Sequence, residues 1–446
     1  MSNTHNPESP CFFSRLFNPW RCSSNENTRL LVREVIEKFF QVEISKELRR
    51  RKRKPDDHKK FLKAIEAITC DLIHNHLSDQ RSGIAISRSN RVLSKTSRYK
   101  NEVLNKTIPY LLDVLELPEL QMLEQVVGCI NYFYPEKNGN LRTVVKAGKH
   151  LVHLIQKYHV ELEDLGLSDG EETIILKREK NDLWDHGGTL EYEDNELTNL
   201  YRDEMRTINQ CIRNADLNYM EPFHGKDKHT YDLDCRLIKR YFTRGSFKSG
   251  GRLFGGFWQQ MKKVHRENLL IDGENIVVLD YSQMTPKILY GYCGLVPELE
   301  DCYLIEGYEN YRKGIKKVFN AMTFSDGPRT RFPKSINSLF PVKTRFKEVA
   351  DAIENEHSRI AHMFYTGIGH YLQFLESQIL VEVLLKLIES NLTALPIHDA
   401  VLVSEIHVYK SKQVMEQVFL DITNVPSVVK VEQSVLDGGI QYKCIG

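Results

Sequence analysis

Apolar and polar positions alternate differently in the two halves of this chain. In "TRLLVREVIEKFFQVEISKEL", "HKKFLKAIEAITCDLIHNHL" and "TIPYLLDVLELPELQMLEQVVGCI" apolar residues recur three and four apart, and "LRTVVKAGKHLVHLIQKY" repeats the pattern. That is the period of helices with one buried face. The spacing therefore predicts a mostly α-helical module over residues 29–160, behind an N-terminal tail (1–28) whose Asn, Ser and Pro show no period and which is expected to be disordered. An acidic connecting region over 161–235 contains one short strand, "ETIILKR", and one helix, "ELTNLYRDEMRTINQCI". From 236 to 446 the texture changes to short strands and glycine turns, notably "RGSFKSGGRLFGGFWQQM", followed by helices.

Two strands in this last region end on a charge. "ENIVVLDYSQMTPKILYG" runs from β-branched residues into Asp280, and "TALPIHDAVLVSE" reads as a tight hairpin with His398 and Asp399 at its turn. If these strands are neighbours in one sheet, the two carboxylates meet. Like charges held together need a cation between them, and hard oxygen ligands beside phosphates suit Mg²⁺. Between them, Arg312, Lys316, Asn320 and Phe324 are spaced by four and would form one stripe on a helix: two cations, an amide and a ring. A triphosphate could lie along such a stripe with a base on the ring. Any solvated helix can also carry basic residues at this spacing.

Charge changes the picture of the first half. The net charge is +1, yet Lys46–Lys60 holds nine basic and three acidic residues, Arg81–Lys106 seven and one, and Glu161–Glu204 four and fifteen. The run Arg49, Arg50, Arg51, Lys52, Arg53 and Lys54 fits a clamp on a phosphate backbone, a nuclear localisation signal or a solvated face. No segment has the length and apolarity of a membrane span or the layout of a secretory signal, so a cytoplasmic protein with no membrane partner is expected. The nine scattered cysteines form no CxxC pair, which argues against a zinc ribbon or a disulfide framework.

Taken in order, these segments resemble a known family. "VVLDYSQ" is similar to motif A of the family A DNA polymerases, the group of bacterial DNA polymerase I and relative of the single-subunit phage RNA polymerases; "RKGIK" is similar to motif B, "IHDAVLV" to motif C, and "GGRLFGGFWQQM" to the upstream Gly-Arg stretch. The resemblance covers roughly 236–446, in a compact variant like those of uncharacterised bacterial and mobile-element proteins. It implies an α+β fold: a polymerase palm with an antiparallel sheet and a reduced helical fingers insertion near 300–390; the N-terminal module lies outside the resemblance and, being helical and basic, is expected to act as a thumb-like or template-gripping domain. It implies template-dependent nucleotidyl transfer on primer-template DNA with nucleoside triphosphates, through two Mg²⁺ ions or substituting Mn²⁺. Asp280, Asp399 and the Tyr281 carbonyl would hold metal. Arg312 and Lys316 would bind triphosphate, Lys316 protonating the leaving group. Arg252, Gln259, Gln260 and His398 would approach the nucleic acid.

The departures are specific. Thr285 stands where the family has the glutamate that excludes a ribose hydroxyl, Lys287 replaces an arginine, Asn320 and Phe324-Ser325 replace motif B aromatics, and Ala400 replaces the second acid of motif C. RNA synthesis, template-independent addition, and a degenerate palm that only binds nucleic acid stay open on these grounds, as does an accessory protein. Glu376, on the apolar helix before motif C, is a further candidate for the site.

Overall fold

A computed structural model describes residues 14–78, 83–128, 142–180, 185, 187–220 and 231–432. They fall into two compact units that divide between Glu172 and Thr173. The acidic residues of 161–235 are thus shared between the two. Helices and sheets are mixed throughout, an α+β composition, and among the described residues no helix is long and apolar enough to cross a membrane.

The first unit is less helical than its periodicity suggests. Helices Glu26–Ser45, Pro55–Ser78, Ile108–Glu116 and Lys149–Lys157 bury Leu31, Phe39, Phe61, Ile65, Leu111 and Leu154 in one core. They share that core with a four-stranded sheet ordered Ser14–Leu16, Gly83–Ile86, Thr143–Ala147, Leu123–Val126. Two of these strands lie where a helix was expected. The Pro55–Ser78 helix covers the sheet, and short segments such as "TVVKA" hold β-branched residues whose stiff side chains suit a pleated surface once a layer covers it. The expected tail is also ordered from Ser14, where two strands precede an Asn25 cap whose side chain accepts from the Thr28 amide at 3.0 Å. Residues 1–13 lie outside the described residues.

In the second unit a six-stranded sheet centres on Glu274–Tyr281. One edge pairs with Ala400–Ser404, which turns back into Ala394–Ile397; the other pairs with Leu269–Ile271 near its start and Val429–Glu432 along its end, all antiparallel. Beside it stands a three-stranded sheet of Ile174–Leu176, Lys239–Thr243 and Ser246–Phe254. The Gly369–Glu389 helix runs across this layer and buries residues all round, which is why its sequence shows so weak an amphipathic pattern. Its approach is close: at Gly251, φ 85°, a side chain would run into Ser377. Arg240, fully buried there, is held by Glu204 at 3.0 Å and the Ser377 hydroxyl at 3.0 Å, with Gln378 a further acceptor.

Candidate active site

The strand register brings the two strand-end acids together. Asp280 pairs directly with Ala400, the residue after Asp399, while its other neighbour across the sheet is Lys430. Asp399 sits in a two-residue turn between Ile397 and Ala400, where His398 takes a left-handed φ of 57°. Just beyond Asp280, Gln283 is left-handed as well, φ 59°, at the start of the Met284–Tyr292 helix. Each such non-glycine residue costs on the order of 1–2 kcal/mol, and strain of this kind persists only where the surroundings enforce it. For Gln283 the enforcement is visible: its side chain accepts from the Cys302 amide at 2.6 Å and donates to the Glu300 carbonyl at 3.0 Å.

Burial raises the Asp280 carboxyl to about 6, the Asp399 charge adds to the rise, and Lys316 opposes it. Its Oδ1 is buried with no hydrogen-bond partner. A buried carboxylate oxygen without a donor, facing a second carboxylate, is the environment that a hard divalent cation relieves, so the donor set fits Mg²⁺. Tyr281 contributes a buried ring against Phe419, and its hydroxyl donates to the Met415 carbonyl at 2.7 Å, which anchors the strand end.

A third carboxylate comes from the long helix. Glu376 is buried, accepts from Arg252 at 3.1 Å and from the Thr285 hydroxyl at 3.1 Å. Burial raises its carboxyl, Arg252 lowers it and the Asp399 charge raises it again. At the position where the resemblance expects a glutamate, Thr285 therefore meets a carboxylate supplied from another element. The sequence signal was an acid within the apolar run of a helix, which a fold buries only with partners.

The helix Arg312–Phe324 forms as its spacing predicts, but its stripe is not uniformly open. Arg312 is held by Asp301 through two hydrogen bonds, 2.6 and 3.2 Å. Lys316 is exposed. Asn320 keeps a buried Oδ1 without a partner, and the Phe324 ring meets His370 edge-on at 5.1 Å. Of the upstream residues, Arg252 is spent on Glu376. Gln259 spends its amide on backbone, donating to the Leu253 and Pro396 carbonyls at 3.0 and 2.9 Å and accepting from Gly255 at 2.9 Å. Gln260 and His398 are exposed.

In the first unit the basic run is divided. Arg49, Arg50, Arg51, Lys52 and Lys54 face solvent. Arg53 turns inward instead: its side chain and that of Glu43 are each only 7% exposed, paired at 2.5 Å, and the guanidinium lies 3.6 Å over the Phe61 ring. It holds the fold rather than a ligand.

No family model and no curated protein matches the chain. Among solved structures it is similar to the POL domain of Pol1 from M. smegmatis, in complex with DNA primer-template and dNTP, at 12% identity and a TM-score of 0.28, over 46% of this chain. The chain spans about half of that one, 48%. A TM-score of 0.28 lies below the level of a shared fold, so any functional reading rests on the chain's own residues.

Proposed function

We propose that the second unit is a polymerase-like palm that performs template-dependent nucleotidyl transfer, most simply DNA synthesis on a primer-template. The observation that carries this reading is the buried, partnerless Oδ1 of Asp280 beside the charge of Asp399 at adjoining strand ends. Asp280 and Asp399, with the Tyr281 carbonyl, would hold Mg²⁺ or Mn²⁺. When bound, the ions supply charge neutralisation at phosphorus and activation of a primer 3′-hydroxyl.

The chain's own residues do the rest by positioning. Lys316, exposed and near enough for its charge to act on Asp280, meets the triphosphate and donates a proton toward the departing pyrophosphate. Asn320 lies on the same stripe, where its amide N–H groups, and not its buried Oδ1, are the donors that a phosphate oxygen accepts. Arg312 joins the stripe when phosphate competes with Asp301. Glu376 and Thr285 stand where the sugar of the incoming nucleotide is read, so this pair decides between dNTP and NTP.

Primer extension tests the reading: labelled primer-template, Mg²⁺ or Mn²⁺, and dNTPs and NTPs in parallel, with Asp280→Asn as control. Template-directed products that vanish in the variant support it. Products unaffected by Asp280→Asn refute it, and tight nucleic-acid binding with no product under any condition favours a palm that only binds, a reading that Ala400 in place of a second acid also suits.

A further inference from the structure

A larger set of exposed cations than the Arg49–Lys54 run lies on and after the helix that carries Lys316. Between Lys313 and Lys347 the chain holds nine lysines and arginines and one acid, Asp326. That acid is engaged by Arg244 at 3.3 Å. All nine basic side chains are exposed, and among the described residues none is in an ion pair. Arg312, one residue earlier, is by contrast neutralised by Asp301.

These cations are mounted on a folded base. Phe332 stacks on Phe340 at 5.3 Å and 23° and meets Phe346 edge-on at 5.5 Å. Phe340 in turn lies against Tyr311 at 5.9 Å and closes over Gly314 of the Arg312–Phe324 helix, where a Cβ would come within 2.5 Å of its ring. A freely solvated basic tail can spread its charges apart; a segment pinned by buried rings cannot, and carries its self-repulsion until a polyanion relieves it. One of the nine, Lys316, lies close enough for its charge to act on Asp280.

We propose that the exposed cations of 313–347, mounted on the Phe332–Phe340–Phe346 cluster, grip the phosphate backbone of the nucleic-acid strand that enters the Asp280–Asp399 site. The nature of the polyanion rests on the polymerase-like reading; the presence of the grip does not. Lysines and arginines on a loop hold phosphates without reading bases, so binding is indifferent to sequence.

The test is anisotropy titration of a labelled oligonucleotide, single-stranded and duplex, across KCl concentrations. In the full chain, Arg329, Arg331 and Lys334 are changed together to Gln, and in a second variant Lys343, Arg345 and Lys347. Each single-stranded phosphate contact contributes about 0.7 to the slope of log affinity against log salt, so either triple variant should flatten it by about 2, with thermal unfolding unchanged. Unchanged slopes in both variants overturn the proposal, as does wild-type binding to anionic phospholipid vesicles with none to either oligonucleotide. A slope lowered on the duplex alone also overturns it, because the cations then hold product and not the strand that enters. Primer extension by the same variants keeps the two readings apart: normal slopes with Asp280-dependent synthesis would sink the grip and leave the active site standing.

Discussion

The Thr285 hydroxyl donates to the Glu376 carboxylate at 3.1 Å, joining the helix that follows the Asp280 strand to the helix that precedes the Asp399 hairpin. Neither residue resembles a motif position by itself. Together with Arg252 they form a buried carboxylate set between two partners, next to the pair of strand-end acids.

That arrangement predicts a graded series at Glu376. Glu376→Ala removes two hydrogen bonds and leaves Arg252 half exposed to water, which softens the loss to about 1–2 kcal/mol. Glu376→Gln keeps the shape and should recover most of that stability. If the carboxylate acts on substrate, the Gln variant still shifts the ratio of dNTP to NTP incorporation; a ratio that follows stability alone would make Glu376 a brace. Denaturant unfolding and paired incorporation assays separate the two.

Asp280 sits in a charged state that the fold penalises. Asp280→Asn removes a buried charge whose Oδ1 has no donor, so the metal-free variant should be more stable than wild type, by roughly 1–2 kcal/mol after allowance for its partial exposure. Mg²⁺ or Mn²⁺ should raise the melting temperature of wild type and leave that of the variant unmoved. Equal metal-induced shifts in both proteins would remove Asp280 from the ligand set.

A pH dependence comes from His357. Its Nε2 lies 2.8 Å from the Cys302 carbonyl and so carries the proton, which leaves Nδ1 to accept from the Tyr290 hydroxyl at 2.9 Å. Burial holds this imidazole below its ordinary 6.5. A neutral histidine with a lowered value gives stability that is full above about 6.5 and is lost as pH falls below it, because the unfolded chain takes up the proton first. Unfolding free energy measured from pH 7 downward should therefore decline, and His357→Gln should flatten the decline. An identical slope in the variant would assign the effect elsewhere.

The inward turn of Arg53 predicts a contrast within one basic run. Arg53→Ala strands Glu43, which otherwise binds Arg53 and the Tyr110 hydroxyl at 2.6 Å, and should cost about 3 kcal/mol. Arg50→Ala, on an exposed neighbour, should stay within about 0.5 kcal/mol. Urea titrations of the two variants decide it; equal losses would contradict the inward packing of Arg53.

What the sequence by itself determined is local. Continuous apolar runs closed by an acid mark the Asp280 strand and the Ala394–Ser404 hairpin, and three- and four-residue spacing marks the Arg312–Phe324 helix, because these signals lie within one element. The acid at each strand end was legible too, because a charge that closes an apolar strand has few uses; that the two acids meet came from the strand register. What only tertiary structure decided is which elements meet. Thr143–Ala147 becomes a strand because a sheet and a covering helix await it, not because its own spacing says so. Glu376 reaches Thr285 across 91 residues, and Arg53 finds Glu43 and Phe61 instead of solvent. The exposed cations of 313–347 are scattered along the sequence between prolines and aromatics, and the packing of Phe332, Phe340 and Phe346, with Phe340 over Gly314, is what holds that segment in place. Partners of a side chain are set by the three-dimensional path of the backbone, and no pattern read along one element contains that path.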